Sequence, residues 1–258
     1  MKTLTEKIPE LYAMKSYPKE LFYEGNLALL KKTKISIVGS RKPSKYSRTL
    51  THQLSFLLSK NGICVVSGAA MGIDAVAHLG AGSANTIAVL PCGIDVKYPV
   101  VNKNLLYDIQ NNGLLLSQFP PSFKAAVWSF VVRNELVVAI GDVLVVAEAE
   151  LSSGSMRSIE YALTMGKEIY AFPHRLGESN ATNALAKEGK VKIIYDLEEF
   201  VARFATTSIP HAKKDDFLEF CKTAPTYEEA VQKYPERVFV AELSGEIEII
   251  KGSVFLKS

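Results

Sequence analysis

From residue 34 to residue 200 the chain repeats one pattern: a short apolar run, a polar turn that carries glycine, then apolar positions three and four apart. The runs at Ile35–Val38, Ile63–Val66, Ile87–Leu90, Leu114–Leu116 and VLVVAEA (143–149) show no apolar/polar alternation, so they read as strands covered on both faces. Between them, Ser44–Lys60 places Leu50, Leu54, Leu57 and Leu58 on one helical face and stops at Asn61-Gly62. Ala75, Val76 and Leu79 mark a second helix, and Ile159–Met165 another that ends at Gly166. Ala125–Ile140 is apolar on most faces, as a helix buried between a sheet and a neighbour would be, with Arg133 and Asn134 interrupting it. EIYAFP, the patch around Ala184 and Leu185, and VKIIYD complete the alternation, with Asp196 and Glu199 in capping-box spacing before EEFVARF.

Strands alternating with helices predict parallel βαβ units, hence an α/β fold built on a doubly wound, mostly parallel, Rossmann-like sheet in residues 1–204. Residues 1–30 read as a helical or irregular lead-in, with YPKELFYEGN a turn-rich approach to the first strand. The pattern breaks into a linker at 205–214. Residues 215–258 then read as two or three short helices and a hairpin turning near Lys251-Gly252, the order of a small winged-helix-like domain.

Composition places the chain among ordinary globular proteins: 48% hydrophobic, 22% charged, mean hydropathy +0.10. No apolar run approaches the roughly 18 residues of a membrane helix, and MKTLTEKIPELY lacks a signal peptide's apolar core, so a cytoplasmic protein with no membrane partner is expected. Cys64, Cys92 and Cys221 lie far apart, without metal-ligand spacing, and read as reduced structural residues. Net charge is only +3, but its distribution is uneven. Residues 1–204 hold 23 Lys+Arg against 18 Asp+Glu, and residues 205–258 hold 7 against 9. A polyanion would therefore meet the front of the chain, and the acidic tail suits protein contacts better than DNA reading.

In a doubly wound sheet, ligands sit beyond the carboxyl ends of the strands, where strand order reverses. Three polar turns leave strands and are expected on that rim: Gly39-Ser40-Arg41, Ser67-Gly68-Ala69 and Ser153-Gly154-Ser155. The first lies in KISIVGSRKPSKYSR; the span Lys31–Arg48 holds seven cations and no carboxylate. Glycine, hydroxyl and cation together suit phosphate, although a solvated basic turn has the same composition. Nucleotide-cofactor fingerprints are missing: SGAAMGID lacks G-x-G-x-x-G spacing, and no Walker Lys-Ser/Thr follows a glycine loop. Asp74 and His78, spaced i, i+4, read as turn and helix-layer residues rather than part of a triad, since G-x-S-x-G is absent. The four histidines form no metal cluster, so no metal, cofactor or catalytic residue is expected.

A nucleic-acid surface needs cations and π-faces. Arg41, Lys42, Lys45, Arg133 and Lys167 are candidates for the first, Phe130 and Tyr46 for the second; Phe130 and Trp128 equally suit a core. Arg133, inside SFVVRNELVV, requires either a ligand or a partner carboxylate such as Glu148 or Glu150.

VGSRKPSKYS, VSGAAMGIDAVAH, IAVLPCGIDVKYPVVN, GLLLSQFPP, FVVRNELVVAIGDVLVVAEAELSSGS and the later AFP, in unbroken order from Tyr17 to Phe200, resemble the DprA/Smf family of bacterial DNA-processing proteins. The resemblance implies an extended Rossmann-like domain that binds single-stranded DNA, forms homodimers and helps load the RecA recombinase in natural transformation, without catalysis. Its motifs fall on Gly39, Ser40 and Arg41; on Ser67, Gly68, Ala70, Gly72 and Asp74; on Phe130, Arg133 and Asn134; on Ser153, Gly154 and Ser155; and on Lys167, at an often basic position. Two places depart from the family pattern: Glu135 follows Asn134 where a cation is usual, and Pro173-His174-Arg175 stands where V-P-G is usual. Two rivals remain. Lysine-decarboxylase-like enzymes that cleave nucleoside monophosphates carry P-G-G-x-G-T-x-x-E, against SSGSMRSIE here with Glu160 near the acid's place, and a pure interaction scaffold would carry the basic rim incidentally.

Overall fold

The computed structural model describes residues 2–205, 216–244, 246–250 and 252–256, in two compact units, Met1–Thr206 and Thr207–Ser258. Apart from Ala205, the expected linker lies outside the described residues. In the larger unit, β1 (Lys2–Thr3) and β2 (Phe22–Gly25) precede β3 (Lys34–Val38), α1 (Lys45–Lys60), β4 (Cys64–Ser67), α2 (Ile73–Ala81) and β5 (Thr86–Val89). Then come α3 (Lys103–Asn112), β6 (Leu114–Ser117), α4 (Val127–Ile140), β7 (Val143–Val146) and α5 (Ser155–Thr164). β8 (Ile169–Ala171), α6 (Asn180–Lys187), β9 (Lys192–Ile193) and α7 (Leu197–Ala202) close the unit.

The strands form one sheet in the order β1-β2-β6-β5-β4-β3-β7-β8-β9, parallel from β6 to β9. The chain builds outward from β3 through β4, β5 and β6, then crosses to the other side of β3 as β7, so strand order reverses between β3 and β7. Alternate residues of the central strands serve two cores, which is why the runs are apolar throughout. Val38, Val66, Val89 and Val146 face α4, α5 and α6; Ile35, Ile37, Val65 and Val145 face α1, α2 and α7. The doubly wound Rossmann-like reading holds.

Two expectations need correction. The stretch read as a turn-rich approach contains β2, which pairs antiparallel with β6 and extends the sheet; four residues including a glycine gave no strand signal of their own. Helix α4 is buried only in part: Leu136–Ile140 lie in the core, but Val127 is 88% and Trp128 55% exposed. An apolar helix start on the surface is a feature to be explained by something other than the core.

The smaller unit contains α8 (Asp216–Cys221), α9 (Tyr227–Lys233), α10 (Pro235–Ser244) and the antiparallel hairpin of β10 (Ile247–Ile250) and β11 (Ser253–Leu256). Its core joins Phe217, Cys221, Ala230, Val238, Ala241, Ile247 and Val254. Three helices followed by a hairpin match the winged-helix-like order.

Candidate nucleic-acid interface

At the carboxyl ends of β3 and β7 lies a cavity of about 690 Å³, where reversal of strand order separates the two following loops. Its walls come from Val38–Arg41 after β3, Ala70 and Asp74 after β4, Tyr98 after β5, Val127, Phe130, Val131, Arg133 and Asn134 on α4, and Ser153, Gly154, Ser155, Arg157 and Ser158 at the start of α5. Close packing fixes the first loop. Ile73 N–H donates to the Ser40 carbonyl (3.1 Å), and Ser40 N–H donates to the Glu148 carbonyl (3.0 Å). A Cβ at Gly39 would come within 2.7 Å of Ile73 Cγ1, and one at Gly72, where φ is +82°, within 2.7 Å of the Arg41 Cα. The two glycines therefore let the Ser40-Arg41 turn lie on the start of α2. Behind it, the Glu148 carboxylate accepts from Ser44 N–H (3.0 Å) and Ser44 Oγ (2.7 Å). Burial works to raise that carboxyl, but hydrogen bonds from Ser47 and Ser44 outweigh it and hold it below its usual range.

Two arginines lie beside the Phe130 ring in opposite circumstances. Arg133 is 3% exposed and donates to the Gly68 carbonyl, to the Val89 carbonyl (2.9 Å) and, through Nε, to Asn134 Oδ1 (3.1 Å). Burial lowers its pKa, and the buried Asp74 carboxyl works against that. Asp74 is pushed upward by the same burial, with Arg133 opposing, and accepts from Ala70 N–H (3.3 Å). Nearby, His78 Nδ1 lies 2.7 Å from Thr86 Oγ1, and burial pushes the imidazole down to about 3. Arg41 is exposed, with its guanidinium 5.1 Å from the Phe130 ring centre. Among the described residues it has no hydrogen-bond or ion-pair partner. Arg133 is thus part of the cavity floor, and Arg41 is a free cation at its mouth.

The cavity gathers Gly39, Ser40, Arg41, Phe130, Arg133, Asn134, Ser153, Gly154 and Ser155, as the strand-end argument expects. Other expected residues fall elsewhere. Ser67 is buried and donates its hydroxyl to the Ile37 carbonyl (2.6 Å), and Gly68 lies beneath Arg133; both shape the floor without lining the cavity. Glu148 and Glu150 are not the partners of Arg133, since Glu148 holds Ser44 and Glu150 accepts from Asn180 (3.0 Å). Lys42 and Lys45 are exposed beside the mouth but do not line it. Tyr46 lines a separate concavity with Pro173, His174, Arg175 and Glu178, its hydroxyl donating to the Pro173 carbonyl (2.9 Å).

Lys167 is at the wrong end of the sheet. It stands two residues before β8, and its ammonium donates to the carbonyls of Ala139 (2.6 Å) and Gly141, where burial lowers its pKa to about 8. Lys34, counted among the basic stretch, is likewise buried at the start of β3 against Glu10 (2.8 Å). Tyr98 was not anticipated; its ring meets Phe130 edge-on at 5.8 Å. Its position in the loop that follows a buried strand, IAVLPCGIDVKYP, was the available signal.

The family profile described as DNA recombination-mediator protein A matches residues 3–205, nearly the whole of the larger unit. The chain belongs to that family. DNA recombination-mediator protein A relatives include the DNA processing protein DprA of Streptococcus pneumoniae, 37% identical over 191 residues that are 72% of this chain and 67% of that one. Protein Smf of Escherichia coli is 31% identical over 88% of this chain and 61% of its own length. The match covers between 36% and 67% of the length of the curated relatives. Among solved structures of the family, DNA processing protein A from Helicobacter pylori superposes with a TM-score of 0.76 at 36% identity, covering 78% of this chain and 94% of that one. That structure concerns a single-stranded DNA binding mode of the H. pylori protein. DprA from S. pneumoniae gives 0.74 at 33% identity over 80% of this chain and 75% of its own.

Proposed function

We propose that this chain binds single-stranded DNA at the mouth of the cavity, with Arg41 holding a backbone phosphate and Phe130 and Tyr98 meeting a base. The free, exposed guanidinium of Arg41 over the Phe130 ring carries the reading. A cation with no hydrogen-bond or ion-pair partner among the described residues, beside an aromatic ring, suits a ligand that offers charge and a π-face in alternation. The start of α5 adds Ser153–Ser155 to the same lining, where backbone N–H groups and the helix dipole favour an anion. Family membership and the single-stranded DNA binding mode described for the H. pylori relative support the same ligand. In the cell the chain acts in the cytoplasm as a homodimer, without catalysis or cofactor, protecting incoming DNA and helping to load the RecA recombinase.

The enzyme alternative is not favoured. Glu160, nearest in sequence to the acid of the nucleotide-cleaving enzymes, is exposed, pairs with Arg157 at 2.7 Å and does not line the cavity. Titration of a labelled oligothymidylate followed by polarisation, at two salt concentrations, tests the proposal. Binding is expected at low salt, weakening steeply as salt rises, with little base preference. No binding at low salt, or release of free base from AMP, overturns it.

A further inference from the structure

Trp128 is the chain's single tryptophan, and it is 55% exposed at the second position of α4. Its neighbours Val127, 88% exposed, and Val131 line the cavity, so the apolar surface is continuous from the cavity wall to the indole. The ring is not loose. Phe119 and Phe123 stack with centroids 4.7 Å apart and planes 11° from parallel, and Trp128 meets them edge-on at 5.6 and 5.5 Å. An aromatic ring propped this way has already lost most of its rotamer freedom, so stacking a further ring on it has little ordering cost. Charge agrees: between Asp108 and Glu135 the sequence contains no carboxylate, and its cations are Lys124 and Arg133. Asp95, the carboxylate that reaches this turn, is already engaged, accepting from Ser122 N–H (2.9 Å) and the Ser122 hydroxyl (3.2 Å). An exposed tryptophan whose own stretch of chain carries no carboxylate, continuous with a phosphate-suited cavity, has the character of a base-stacking surface.

We propose that Trp128 is a second stacking platform, taking a base of the strand as it leaves the cavity over Val127 and Val131. This rests on the single-stranded DNA reading above and extends the bound strand along the start of α4. The same surface covered by a second copy of this chain is the competing occupant.

Because the full chain has one tryptophan, its emission reports this site alone. Emission and polarisation would be read together while titrating thymidine dinucleotide and a longer oligothymidylate at low salt. The longer strand is expected to quench the emission and the dinucleotide to leave it nearly unchanged. Trp128→Ala should weaken the longer strand about tenfold, the scale of one lost base stack, and Trp128→Phe should recover most of that. Thermal unfolding of both variants checks that the fold is kept, and the phenylalanine variant preserves the aromatic packing if the alanine variant is unstable. Saturable polarisation with unchanged emission, or wild-type affinity in Trp128→Ala, overturns the platform while leaving the cavity reading intact. Emission that shifts with protein concentration before DNA is added assigns the surface to a second copy and overturns it too. Absence of any polarisation change in the wild-type chain overturns the DNA reading and the platform with it.

Discussion

The two ends of the parallel strands carry similar cations in opposite circumstances. At the amino ends, Lys34 is 3% exposed, paired with Glu10 and donating to the carbonyls of Leu30 and Lys32; Lys167 donates to two carbonyls; Lys32 reaches Asn85 Oδ1 at 2.7 Å. At the carboxyl ends, Arg41, Lys42 and Lys45 are exposed, and Arg41 has no hydrogen-bond or ion-pair partner among the described residues. Charge alone does not mark a ligand site. A cation already satisfied by the fold contributes to stability, and one left free has its interactions still to make.

Arg133 gives the largest test of that division, because it lies at the carboxyl end yet is engaged like the amino-end lysines. Arg133→Met leaves Asp74 buried without its countercharge and the Gly68 and Val89 carbonyls without their donor. The expected loss is about 3–5 kcal/mol of unfolding free energy by urea titration. A variant as stable as wild type would place Arg133 with the free cations and erase the distinction.

Arg41 and Lys34 should then show mirror-image effects of about 2 kcal/mol each, one on binding and one on stability. Arg41→Ala is expected to weaken oligothymidylate binding tenfold or more, with unfolding changed by no more than about 0.5 kcal/mol. Lys34→Met should lower the urea midpoint and leave affinity as it was. A binding defect in Lys34→Met, with its fold intact, would mean that the amino end also meets DNA.

What was readable in the sequence divides along the same line. The run Ile35–Val38 followed by Gly39-Ser40-Arg41 announced a buried strand ending in a turn at the carboxyl rim, because burial on both faces needs an unbroken apolar run and the close approach needs glycine. Lys167 was misplaced because family position supplied a charge without saying which end of a strand it stood on. Its place two residues before Ile169, the start of a buried strand, held that information, since a residue preceding a parallel strand lies opposite the ligand rim. Arg133's partners were not legible: they are backbone carbonyls 65 and 44 residues away, and sequence records no direction for a carbonyl. The exposed start of α4 was missed for a related reason, since an apolar helix turn looks the same whether a core or a ligand covers it.

Acid gives a third, smaller separation. His78 is buried with its pKa pushed down to about 3, below the usual 6.5, so below about pH 6.5 the unfolded chain binds a proton that the native chain does not. Stability from this group is therefore complete above 6.5 and is lost as pH falls towards 3. Asp74 offsets part of the loss, because its raised native pKa contributes stability that is complete below about 3.8 and fades as pH rises. Urea titrations at pH 7 and pH 5 should differ by about 1–2 kcal/mol in favour of pH 7, and His78→Gln should flatten the profile. An unchanged difference in that variant would assign the acid sensitivity to other groups.

The finest distinction concerns Lys42 and Lys45, which stand beside the cavity mouth without lining it. Guides of this kind contribute through counterion release more than through fixed geometry, so each alanine variant should cost only a few-fold in affinity at moderate salt. The informative quantity is the slope of log affinity against log salt, which for a single strand changes by about 0.7 for each phosphate contact. Lys42→Ala with Lys45→Ala should therefore make the slope shallower by about 1.4, and Lys167→Ala, at the opposite end of the strands, should leave it unaltered. If Lys167→Ala removed as much slope as either guide, total charge rather than its placement would govern binding, and the contrast between the two ends would fail where it makes its most specific claim.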